Sequence, residues 1–101
     1  MKNELILRRD LVQIGRFLRD RGYIVASDGN MSARLSRSEF LVTPTGADKG
    51  ALKLRELVRV KIGKELAVAA TASTEIFIHS LAYTKRPDIG AVIHRSEERR
   101  V

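Results

Sequence analysis

Apolar residues recur at helical spacing over the first twenty positions. Leu7, Leu11, Ile14 and Leu18 follow at steps of four, three and four, which places them on one face of a helix over residues 3–21. Leu5, Val12 and Phe17 widen that stripe, and Arg8, Arg9, Arg16 and Arg19 fall mostly off it. Such a face packs against a sheet, and Gly22 is the stop signal. The period then changes to two. Met31, Ala33 and Leu35 alternate with Ser32 and Arg34, predicting a strand. Ser36–Glu39 is a turn and Phe40–Thr43 a second strand, so the pair forms an antiparallel hairpin. Pro44 ends it, because proline has no N–H for the ladder.

A glycine-bounded loop over residues 45–53 follows. A third strand is predicted over residues 57–62. After a turn at Gly63-Lys64, residues 65–70 read as a fourth strand, though that Ala-rich stretch equally fits a helix. Ser73 or Thr74 is a candidate N-cap for a helix holding Ile76, Phe77, Leu81 and Tyr83 and ending before Pro87. Gly90–His94 is an apolar strand that reads as buried on both faces. The order helix, strands, helix, strand predicts a layered α/β arrangement.

Composition narrows this only a little. A chain of 101 residues allows one domain. No run approaches the length of a membrane span, and the charged N-terminus lacks a signal-peptide core, so a cytoplasmic protein is expected. With no cysteine, disulfides and thiolate metal ligands are excluded. The net charge of +7 would suit a polyanion partner, but the cations are scattered among Asp and Glu. No spacing typical of a nucleic-acid-binding motif accompanies them, which speaks against nucleic acid.

Two turns and one helix start carry candidate chemistry. Asp28-Gly29-Asn30 and Thr43-Pro44-Thr45-Gly46 each offer unobstructed backbone N–H groups, the kind of concavity that binds phosphate. Each also reads as an ordinary turn. Ser73-Thr74-Glu75 offers hydroxyls at the positive end of a helix, where anions settle, or simply a capping pattern. Glu75 in a first helical turn has its pKa lowered unless burial opposes it, so the sequence leaves its role open. His79, four residues on, shares its helical face and reads more readily as a packed core residue near Tyr83 than as a ligand. His94 closes the last strand. A metal partner two residues on would share its face, but position 96 is Ser.

Taken in order, Gly29-Asn30-Met31-Ser32, Thr43-Pro44-Thr45-Gly46, Ala72-Ser73-Thr74-Glu75 and Arg86-Pro87-Asp88-Ile89-Gly90-Ala91-Val92-Ile93-His94 resemble the class II aldolase/adducin family. The resemblance covers nearly the whole chain to His94. It implies a three-layer α/β/α fold with a mixed or antiparallel central sheet, assembled as a homo-oligomer. It implies that the phosphate of a small phosphorylated sugar rests against Gly29, Asn30, Thr45, Gly46, Ser73 and Thr74. It makes Glu75 the catalytic acid/base and His94 the first of three zinc-binding histidines, zinc being the family's Lewis acid for an enediolate.

The chain departs from the family pattern after His94. The family continues His-x-His, and this chain reads His94-Arg95-Ser96, with no later histidine. Residues 1–94 are therefore expected to be the N-terminal part of a truncated family domain, and residues 95–101 a non-homologous charged tail. Zinc is not expected to be retained, and the chain is expected to be inactive, since a catalytic zinc takes about three protein ligands. Two alternatives remain at this level: an adducin-like assembly domain without enzyme activity, and a basic polyanion-binding module.

Overall fold

The computed structural model describes residues 3–23, 29–44, 46–63 and 76–94. Helix α1 spans Glu4–Asp20. Asn3 caps it, its side-chain oxygen accepting from the Ile6 amide at 2.9 Å. Its far end is closed by Gly22, at φ +75°. The Gly22 amide donates to Arg19 O and the Tyr23 amide to Leu18 O. This paired closure needs a left-handed residue, which glycine supplies without a Cβ clash.

Four strands follow the predicted order: β1 Asn30–Arg34, β2 Glu39–Val42, β3 Val58–Lys61 and β4 Ala91–His94. They form one sheet in the order β3-β2-β1-β4, with every pairing antiparallel. The hairpin register sets Ser32 opposite Val42 and Arg34 opposite Phe40. Helix α2, Ile76–Lys85, ends just before the Arg86-Pro87 turn. A single 3₁₀ turn at Leu54–Glu56, unmarked by any periodicity, enters β3. Arg8 ties it to α1 by donating to the Leu54 and Leu57 carbonyls at 2.7 and 3.0 Å.

Alternation along the strands builds two cores. Met31, Ala33 and Leu41 pack with Leu7, Leu11, Leu52 and Leu57 on the α1 side. Phe40, Val42 and Val60 pack with Ile76 and Tyr83 on the α2 side. The result is the expected three-layer α/β/α arrangement, with a sheet that is antiparallel throughout the described residues.

Two sequence expectations need correction. Ile14, Leu5 and Phe17 are not on the buried face of α1 but 42%, 49% and 48% exposed, respectively. The buried row runs Leu7, Leu11, Gly15, because the Lys49 carbonyl lies where a Cβ on residue 15 would stand. β4 is not buried on both faces. Among the described strands it lies at the edge of the sheet, and Ile93 is 52% exposed. The predicted fourth strand at residues 65–70 and the Ser73/Thr74 cap lie outside the described residues.

Candidate functional site

The sheet register gathers three sequence motifs at one end. Antiparallel pairing sets the start of β1 beside the end of β2 and the end of β4. Asn30 lies opposite His94 in the β1–β4 ladder. On the other flank, Thr43 follows β2. Its Oγ1 donates to Asn30 Oδ1 and accepts from the Met31 amide, both at 3.2 Å, and its own amide donates to Met31 O at 3.0 Å. Asn30 and Thr43 are both buried. The Pro44–Ala47 turn leaves directly after Thr43 and contains Gly46 at φ +74°, with the Ala47 amide donating to Pro44 O. Gly29, also left-handed at φ +75°, leads into Asn30.

Helix α2 points its N-terminal end the same way. Its contacts with β1 advance in step with the strand: His79 meets Ser32, while the Tyr83 and Arg86 carbonyls meet Arg34. The helix therefore runs alongside β1 in the same sense, and Ile76 stands toward the Asn30 end. Arg34 anchors the opposite end, donating from Nε to Ile89 O at 2.9 Å and from Nη2 to Tyr83 O at 3.0 Å, with its guanidinium 4.8 Å from the Tyr83 ring centre. A cation on the last carbonyls of a helix is favourable.

Between these ends lies a buried polar chain. Ser32 Oγ is 2.6 Å from His79 Nδ1 and 2.8 Å from Tyr83 Oη. All three residues are at most 2% exposed. Burial is the main cause that pushes the Tyr83 phenol up to about 12, so it is protonated at neutral pH. Tyr83 Oη accepts from the Val92 amide and shares a hydrogen bond with Ser32 Oγ in which either hydroxyl can donate. Ser32 Oγ thus bridges the phenol and the imidazole, and the direction of its bond to Nδ1 follows the tautomer of His79.

Of the residues expected to form the site, Gly29, Asn30, Gly46 and His94 are described, and all four belong to this end of the sheet. Thr45, Ser73, Thr74 and Glu75 lie outside the described residues. His94 is half-buried. Among the described residues no cluster of three His, Cys, Asp or Glu could hold a metal ion. One imidazole does not make a zinc site, so the described donors do not fit that group unaided.

Sequence reading named Thr43 and Ser32 within motifs and set His79 near Tyr83 as a packed core residue, but it did not foresee the bonds Thr43–Asn30, Ser32–His79 and Ser32–Tyr83. The signal was present in Ser32, a polar residue on a strand that turns out to be covered on both faces. His79 and Tyr83, four apart on one helix face, are its partners. The Arg86-Pro87-Asp88 motif proves to be a turn: Arg86 grips Asp88 with two bonds of 3.0 and 2.8 Å, which holds the Asp88 carboxyl below its usual range.

The chain matches known proteins along most of its length. A family profile described as "Class II Aldolase and Adducin N-terminal domain" matches residues 9–98. Methylthioribulose-1-phosphate dehydratase of Pseudomonas fluorescens is 40% identical over 89 residues, covering 87% of this chain and 43% of the relative. Two solved structures are similar in fold. YgbL of Klebsiella pneumoniae, an aldolase/epimerase/decarboxylase candidate, superposes with a TM-score of 0.83 at 34% identity, over 94% of this chain and 46% of that one. L-fuculose-1-phosphate aldolase of Thermus thermophilus superposes with a TM-score of 0.76 at 30% identity, over 88% and 44%. The chain thus spans less than half the length of each. On profile, sequence identity and fold together, the chain belongs to the class II aldolase and adducin N-terminal domain family.

Proposed function

We propose that the sheet end bearing Gly29, Asn30, Gly46 and His94 is the N-terminal part of a site for a small phosphorylated sugar, serving carbon–carbon or carbon–oxygen lyase chemistry. The observation that carries this reading is the register of Asn30 against His94, beside the Thr43–Gly46 turn. It sets an amide side chain, an imidazole and two left-handed glycines at one edge of the fold. Left-handed glycines expose backbone N–H groups, and such groups bind phosphate oxygens. The names of the relatives support the same substrate class, since both the dehydratase and the aldolase act on sugar phosphates.

In this reading the phosphate rests against Gly29, Asn30, Thr45, Gly46, Ser73 and Thr74. Glu75 moves a proton at the substrate carbon, as general base and then general acid. Its place is supported by Ile76, its covalent neighbour, which begins the described part of α2 at this end. His94 contributes one imidazole toward a metal whose other donors are not among the described residues. The 101 residues hold two histidines in all, and His79 is engaged with Ser32. We therefore expect the 101-residue chain to bind a sugar phosphate without turning it over. In the whole protein we expect a homo-oligomeric, cytoplasmic enzyme.

Calorimetric titration with a pentulose phosphate and with the same sugar lacking phosphate tests the reading. Saturable binding of the ester alone supports it. Equal responses, or none, count against it.

A further inference from the structure

We propose that His79 is a positioning residue for the site put forward above: through Ser32 it fixes the N-terminal end of α2 against the Asn30–His94 pair. The claim rests on the reading of that site. Three observations carry it.

The first is burial. His79 has no exposed surface, and it sits in a layer whose neighbours Phe40, Val42, Val60 and Ile76 are apolar. An apolar side chain would fill such a place at less cost, because buried polar groups destabilise unless bonded. The polar residue adds direction. Apolar contacts tolerate sliding and rotation of a helix, whereas a 2.6 Å bond between ring nitrogen and strand hydroxyl fixes both.

The second is the weak apolar grip of α2. Of its ten residues, Phe77, Ile78 and Leu81 are about half exposed, so few side chains hold the helix to the sheet. Beside the buried Ile76 and Tyr83, polar bonds hold it: Ser80 Oγ accepts from the Gly63 amide, and two anchors come from β1, Ser32 near the N-terminal half and Arg34 at the C-terminal end.

The third is alignment. Ser32 shares a strand face with Asn30, two residues away, and Asn30 is paired with His94. In sequence His79 lies four residues after Glu75, the residue assigned the acid/base role. The bond from His79 to Ser32 therefore links α2 directly to the strand that begins at Asn30.

The test uses the 101-residue chain labelled with ¹⁵N, and inorganic phosphate as the probe. His79→Leu keeps bulk and removes the bond. His79→Asn keeps a polar atom close to the position of Nδ1. Phosphate affinity, read from the amide shifts of Gly29, Asn30 and Gly46, should fall about tenfold in the Leu variant and return in the Asn variant. A folded Leu variant with unchanged affinity would overturn the proposal, as would an Asn variant no better than Leu. Should the Leu variant fail to fold, Ser32→Ala removes the shared hydroxyl at little change in volume. It should show the same loss, and unchanged binding there would overturn the proposal equally. If the unsubstituted chain does not respond to phosphate at all, the site reading fails. The positioning claim is then decided by the Ile76 amide and Asn30 side-chain signals, which should shift in the Leu variant and return in the Asn variant; signals that stay in place would overturn it.

Discussion

Asn30 and His94 face one another across the β1–β4 ladder, although 64 positions separate them in the chain. A glycine turn and a strand-terminal histidine thereby come to one end of the sheet. Thr43 locks the arrangement from the other flank through its bonds to Asn30 and Met31.

The buried phenol makes stability depend on pH. Tyr83 is held at about 12, above its ordinary 10.0. A raised pKa means that the folded state keeps the proton where the unfolded state releases it. The stability contributed is therefore complete below pH 10 and is lost as pH rises toward 12. Urea unfolding between pH 8 and 11.5 should show this decline in the parent chain and a shallower one in Tyr83→Phe. Identical declines would place the effect elsewhere.

Two glycines should respond to alanine for different reasons. At Gly15 a Cβ would run into the Lys49 carbonyl oxygen, a backbone atom that cannot step aside. Gly15→Ala should cost about 1–3 kcal/mol, as overpacked cores do. At Gly22 nothing lies within 4 Å, but φ is +75°. Gly22→Ala should cost about 1 kcal/mol through backbone strain alone. Chemical denaturation of both variants checks the order, and a larger loss at Gly22 would contradict it.

The edge strand should drive association. β4 leaves one backbone edge without a neighbour among the described strands, and Ile93 is half exposed on it. Beside it, Leu7, Leu11, Ile14 and Ala91 line a groove of about 330 Å³. Unpaired edges and apolar patches favour pairing with another chain. Sedimentation at several concentrations should show self-association, reduced by Ile93→Lys. A monomer at every concentration would contradict this.

Metal content follows from the donors. With Ser96 two places after His94, the purified 101-residue chain should hold much less than one zinc per chain after dialysis. Elemental analysis that finds one firmly bound zinc would oblige another donor set, beginning with Glu75 and His79 beside His94.

The elements were legible because their periods differ. The step of four from Leu7 to Leu11 and the alternation from Met31 to Leu35 each mark one kind of structure, and Gly22 and Pro87 mark the stops. The faces were less legible. Ser32 and Arg34 stood out only as the polar members of an alternating strand, and alternation carries no sign of a helix arriving from 47 positions away to bond Ser32. Ile14 read as core because spacing alone does not tell the centre of a buried stripe from its margin. Of the site, the glycine turns and His94 were visible as motifs. That Thr43 and Asn30 would bond depended on the hairpin register, which no local pattern displays.

The most direct measurement maps a sugar phosphate onto the chain by amide chemical shifts. The amides of Gly29, Asn30 and Gly46 and the ring signals of His94 should move together on one saturable curve, while Arg34, Thr84 and Asp88 at the far end of α2 stay in place. Shifts spread over both ends, or centred on the far end, would contradict a phosphosugar site at the Asn30–His94 end.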